Sequence, residues 1–167
     1  NVFKATGAST EPCQIEPLGN RDNAVQDVLI VGNQFLRTYL VCRQETTRLI
    51  ISNNVFDDFT TPSPGAILVH PMNGRIPRGV VIANNVINEP HGQTSSFGII
   101  WCDSDTAHVS GNVILGTDYD CPPFYSAASK PNQFGNFFEK LGSTGRMQQG
   151  FTLSNPNDGI NGFRSCV

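Results

Sequence analysis

Three sets of side chains in this sequence have types and spacings suited to chemistry. Asp58 and Glu89 each stand four residues after an asparagine, Asn54 and Asn85, in a recurring motif. Stacked on adjacent strands they would sit about 5 Å apart at the backbone. That separation suits glycosidic cleavage in which one carboxylate attacks and the other donates a proton. Arg37, at the same offset from Asn33, would tune the Asp58 charge. The second set is His70 with Asp103 and Asp105 of "CDSD", an acid–base combination at a strand end, with Arg43 one residue after Cys42. Trp101, the single tryptophan, offers an aromatic surface for a sugar ring. The third set is Cys42, His70 and Cys102, whose donor atoms suit zinc.

Each set also has an ordinary reading. Arg37, Asp58 and Glu89 would make an exposed charge column of little energetic weight. Asp103 and Asp105 would belong to a turn after Trp101–Cys102. Trp101 would pack against a covering segment. Three ligands in one stacked column span about 9.6 Å, too far for one ion at about 2.3 Å per ligand, so no metal is expected and the cysteines read as buried thiols. The same span forbids a Cys42–Cys102 disulfide. No cofactor is expected.

These residues need a scaffold, and composition narrows the choice. The chain has 167 residues, 15% of them charged, with 16 glycines and 11 prolines. Few charges and many turn formers point to strands and loops rather than a helical bundle. The net charge of −3 and the lack of a basic run argue against nucleic acid as partner. No apolar run is long enough for a membrane span.

The scaffold shows as a repeat. Four segments align on an asparagine: "DVLIVGNQF", "RLIISNNVF", "GVVIANNVI" and "AHVSGNVI", anchored at Asn33, Asn54, Asn85 and Asn112. Gly or Asn precedes each anchor. Ile or Val stands three residues before it and Phe or Ile two residues after it. Weaker copies are anchored at Asn1, Asn136 and Asn161, giving intervals of 32, 21, 31, 27, 24 and 25 residues. Strand alternation turns the positions five and three before the anchor inward, and the position two after it inward again. The Gly/Asn–Asn pair supplies a left-handed bend between them. Stacked turns would then place amide on amide, with the side chains hydrogen-bonded along the stack. A second strand recurs at "YLVC", "AILVH" and "GIIWC". Aligned on Cys42, His70 and Cys102, it is apolar on both faces: Leu40, Leu68 and Ile100 on one, Val41, Val69 and Trp101 on the other. Its outer face is therefore expected to be covered, by a loop or by another subunit. A β-sandwich with asparagine-rich turns is the competing architecture.

The I-x-x-N-x-[FI] turn with its asparagine column resembles the right-handed parallel β-helix of the pectin-lyase-like superfamily, which includes pectate lyases, polygalacturonases, alginate epimerases and phage tailspikes. The resemblance covers residues 27–115 well and the ends poorly. It implies an all-β solenoid of about six coils, with a partial coil and loop over 1–26, regular coils over 27–115 and irregular coils and a cap over 116–167. The chain opens inside a motif, so it is expected to be part of a longer β-helix. The function implied is a glycan-contacting segment of a tailspike-like protein, virion-borne or extracellular and trimeric, cleaving polysaccharide with Asp58/Glu89 or Asp103/Asp105 and contacting it through Trp101, Arg43 and His70. The alternatives are a non-catalytic structural or attachment protein of a virion, and a secreted pectinase-type enzyme.

Overall fold

The computed structural model describes residues 1–4, 12–15, 25–43, 46–57, 60–61, 65–71, 76–88, 91–92, 99–104, 106–117, 124–125, 132–142 and 145–149. All regular structure among them is β-strand. The expected bend organises it. Strands end at Val31, Ser52, Ala83, Ser110 and Phe134, and new ones begin at Gln34, Val55, Val86, Val113 and Phe137. The residue between, just before each asparagine, is left-handed in every case: Gly32 (φ 67°), Asn53 (54°), Asn84 (55°), Gly111 (62°) and Gly135 (62°). Glycine and asparagine are the residues that adopt this backbone at least cost. Gly111 has a further reason to be glycine, because an added Cβ would run into Asn84 Oδ1.

Strands before the bend form one five-stranded sheet and those after it a seven-stranded sheet. The first is ordered Asn132–Phe134, Ala107–Ser110, Arg78–Ala83, Thr46–Ser52, Val25–Val31. The second runs Val2–Lys4, Gln34–Leu36, Val55–Asp57, Val86–Asn88, Val113–Thr117, Phe137–Gly142, Gly145–Gln149. A third sheet holds the other recurring strand: Phe124–Tyr125, Ile100–Cys102, Ile67–His70, Tyr39–Arg43, Pro12–Ile15. A short pair joins Thr60–Thr61 to His91–Gly92. Every pairing is parallel except the last of the seven-stranded sheet. Parallel neighbours that succeed one another along the chain, joined through other sheets, fit a parallel β-helix and not a sandwich, whose sheets are antiparallel.

Between the bends run two interior stacks. In the apolar one, Ile30, Ile51, Ile82 and Val109 lie over one another, as do Phe35, Phe56, Ile87 and Ile114, all within the buried core. Phe3, Phe35 and Phe56 stack ring on ring, with centroids 5.1 and 4.6 Å apart and planes within 13° and 6°. The other stack is the asparagine ladder. Each side-chain amide donates to the next rung's Oδ1: Asn1 to Asn33, Asn33 to Asn54, Asn54 to Asn85, Asn85 to Asn112 and Asn112 to Asn136, at 2.9–3.1 Å. The second amide hydrogen of Asn54, Asn85, Asn112 and Asn136 goes to the carbonyl of Ile30, Ile51, Ile82 and Val109 respectively. Each Oδ1 from Asn54 to Asn136 also accepts from the backbone N–H of the rung before it. Asn54, Asn85 and Asn112 are therefore wholly buried and fully paired, which makes three interior polar residues affordable. The weaker sequence copies at Asn1 and Asn136 are true rungs, while Asn161 lies outside the described residues.

One interior polar atom departs from this pattern. Thr46 is 1% exposed and its hydroxyl finds no hydrogen-bond partner among the described residues. Thr46→Val keeps the side-chain shape and removes the unpaired oxygen. It should raise stability by about 1 kcal/mol, read as a higher urea midpoint at unchanged slope. A midpoint at or below that of the parent chain would mean that the hydroxyl is satisfied.

Candidate functional site

The third sheet brings together part of what the sequence singled out. Its register is Leu40–Ile67–Ile100, then Val41–Leu68–Trp101, then Cys42–Val69–Cys102. This corrects the sequence alignment by one residue on the middle strand. Val69, not His70, lies between the two cysteines, and Leu68, not Val69, lies between Val41 and Trp101. A one-residue slip moves every side chain of a strand to the opposite face. Here it takes Val69 into the core beside Cys42 and Cys102 and puts His70 on the outer side with Leu68. Arg43 becomes the register partner of His70, where the sequence alignment had paired it with Pro71. Asp103 continues the ladder beyond Cys102, its N–H donating to the Val69 carbonyl at 2.7 Å.

The outer side of this sheet thus carries a row of Val41, Leu68 and Trp101, with Arg43, His70 and Asp103 two residues further along each strand. Val41 and Leu68 are 1% and 3% exposed, yet neither belongs to the continuous core cluster. The expected cover over this face is provided within the single chain, and their burial needs no second copy. Trp101 is half-buried. The His70 imidazole stacks on it, with centroids 5.0 Å apart and planes within 15°. The indole Nε1–H donates to Asp103 Oδ2 at 2.8 Å. The carboxylate and the imidazole therefore meet on one indole, Asp103 at its edge and His70 on its face. His70 Nδ1 lies 3.0 Å from the Pro71 carbonyl oxygen, so a proton on Nδ1 is donated there.

The following residues hold Asp103 in place. Ser104 is fully buried; its Oγ lies 2.9 Å from the Pro77 carbonyl and 2.8 Å from that of Thr106, and it accepts from the Thr106 N–H. Thr106 Oγ1 in turn accepts from the Gly79 N–H at 2.8 Å. This lacing ties the end of the Ile100–Cys102 strand to the start of Arg78–Ala83. Asp103 itself is only 4% exposed. Ser104 is a positioning residue that sequence reading missed, its only signal being a serine within the acidic "CDSD".

Cys42 and Cys102 are free, buried thiols. Burial pushes the Cys102 thiol far up, with the Asp103 charge and Cys42 adding to the effect, so it stays protonated and unreactive. No group of three or more metal-ligating side chains occurs among the described residues. Asp58, Glu89 and Asp105 lie outside the described residues, as does the side chain of Arg43. The position before Asp58 is described: the Asp57 carbonyl accepts from the N–H of Arg37, itself left-handed at φ 56°. A separate charged contact lies on another sheet, where Arg48 pairs with Asp27 and holds its carboxyl below the usual range. Both side chains are more than half exposed, so this pair is a surface feature. No helix of the described residues is long and apolar enough to cross a membrane.

Comparison with known protein families, curated proteins and solved structures finds no match to this chain.

Proposed function

We propose that this chain is a glycan-contacting segment of a right-handed parallel β-helix of the tailspike kind, carried on a virion or secreted, with the face around Trp101 as its contact region. The observation that carries this reading is the half-buried Trp101 held between His70 and Asp103 on the outer side of a parallel sheet. An indole is a large flat apolar surface with fixed orientation, the group that stacks on the C–H face of a sugar ring. Imidazole and carboxylate beside it offer a donor and acceptors for hydroxyls. Arg43, beside His70 in the register, adds a cation suited to acidic sugars.

Catalysis at Asp103 with Asp105 is the more demanding form of the proposal. The burial of Asp103 and its engagement by the Trp101 N–H favour the second reading, a non-catalytic attachment protein of a virion in which Asp103 orients the indole. The test is titration of the full chain with neutral and acidic polysaccharides, with binding read by isothermal calorimetry and cleavage by release of reducing ends. Binding weakened about tenfold or more by Trp101→Ala supports the contact region. Release of reducing ends abolished by Asp103→Asn supports cleavage, and binding without release supports attachment. No binding to any polysaccharide, or equal binding by Trp101→Ala, would remove the assignment. Light scattering of the same samples tests the proposed trimer.

A further inference from the structure

The stack of His70 on Trp101 has a consequence that does not depend on the glycan reading. A neutral imidazole lying parallel to an indole 5.0 Å away makes an aromatic contact. The same ring bearing a proton makes a cation–π contact, because the indole face is the negative end of its quadrupole. Histidine is the side chain whose charge changes in the mildly acidic range. We propose that His70 and Trp101 form a proton-dependent clamp: acid tightens the imidazole onto the indole, and base loosens it.

With Nδ1–H donated to the Pro71 carbonyl, the added proton is taken at Nε2, and the existing bond is kept. The strand Ile67–His70 carries no other titratable group. On the Ile100–Cys102 side the charged group is Asp103, whose carboxylate accepts from the edge of the same indole. On the Tyr39–Arg43 side the register partner of His70 is Arg43. The protonated state thus links Asp103, Trp101 and His70 in one contact set.

The clamp also sets a direction for ligand binding. A ring that stacks on the Trp101 face now covered by His70 must first displace the imidazole. Displacing the charged form costs more, so affinity at this face should fall about two- to tenfold between pH 8 and pH 5.

Trp101 is the only tryptophan, so its emission reports the clamp directly. The full chain, without ligand, is titrated from pH 8 to pH 5. Emission should fall in one step as the imidazolium quenches the stacked indole. The step should be lost in His70→Gln and kept in His108→Gln. If His70→Gln does not fold, the parent chain still decides the matter: the emission step and the His70 imidazole resonance, followed by NMR, must share one midpoint. Flat emission across the range, a step that survives in His70→Gln, or two distinct midpoints would each overturn the proposal.

Discussion

Asn85→Ala should lower the stability of this protein by about 3–5 kcal/mol, although the substitution removes only a small polar side chain. The reason lies in what it leaves behind. Asn85 is 0% exposed, and its Oδ1 accepts from both the backbone N–H and the side-chain amide of Asn54, each at 3.0 Å. Its own amide donates to Asn112 Oδ1 at 2.9 Å and to the Ile51 carbonyl at 3.0 Å. Truncation strands two buried donors on Asn54, at about 1–3 kcal/mol for each unpaired group, and removes a donor from two acceptors besides. Asn85→Asp should do no better at neutral pH, because it sets a carboxylate oxygen against the Asn112 and Ile51 oxygens. Asn1 is the internal control. It is exposed and makes one ladder bond, at 3.1 Å to Asn33, so Asn1→Ala should cost well under 1 kcal/mol. Urea unfolding of the three variants makes the comparison. If Asn85→Ala is no worse than Asn1→Ala, the ladder contributes geometry and no net stability.

That ladder was legible in the sequence because its signal is local. Each rung needs a Gly or Asn to bend the chain, an asparagine to pair, and apolar residues three before and two after, all within six positions. Asn33, Asn54, Asn85 and Asn112 therefore announce both the bend and the inward faces, and the structure has the bend at all four. The third sheet has no such marker. Its strands are short apolar runs, and "ILVH" can be slid by one residue against "LVCR" without violating any local preference. The slip put His70 in the column that Val69 occupies. With the wrong residue facing inward, the contact that matters most at the candidate site could not be read: His70 meets Trp101 across strands, from two positions beyond Trp101's register partner Leu68. Asp103 was found as a carboxylate at a strand end. Its use there, accepting from the indole N–H of Trp101, depends on side-chain direction, which spacing does not specify. A motif that repeats fixes register wherever it occurs, and elsewhere register comes only from packing.

Packing makes the second large prediction. Phe56→Ala should cost about 4 kcal/mol, because it opens a cavity in the middle of an aromatic stack rather than at its end. Phe56 is 0% exposed, lies 4.6 Å centroid to centroid from Phe35, and has Ile87 as its register partner on the opposite side. Backbone hydrogen bonds on both sides set the strand spacing, so the neighbouring strands cannot close the gap: Val55 donates to the Asn33 carbonyl and Val86 to the Asn54 carbonyl, both at 2.9 Å. A site that cannot collapse carries the full cavity cost, and the lost ring contact adds about 0.5–1.5 kcal/mol within that total. Phe56→Leu restores most of the volume and should recover more than half of the loss. Phe3, 36% exposed at the end of the same stack, has one ring neighbour among the described residues, and Phe3→Ala should cost about 1 kcal/mol. Equal losses at Phe3 and Phe56 in denaturant unfolding would show that the interior position gains nothing from its two-sided enclosure. A loss at Phe56 several times that at Phe3 would fit a fully buried ring with neighbours above and below, whose gap the backbone hydrogen bonds keep open, against a ring 36% exposed and stacked on one side.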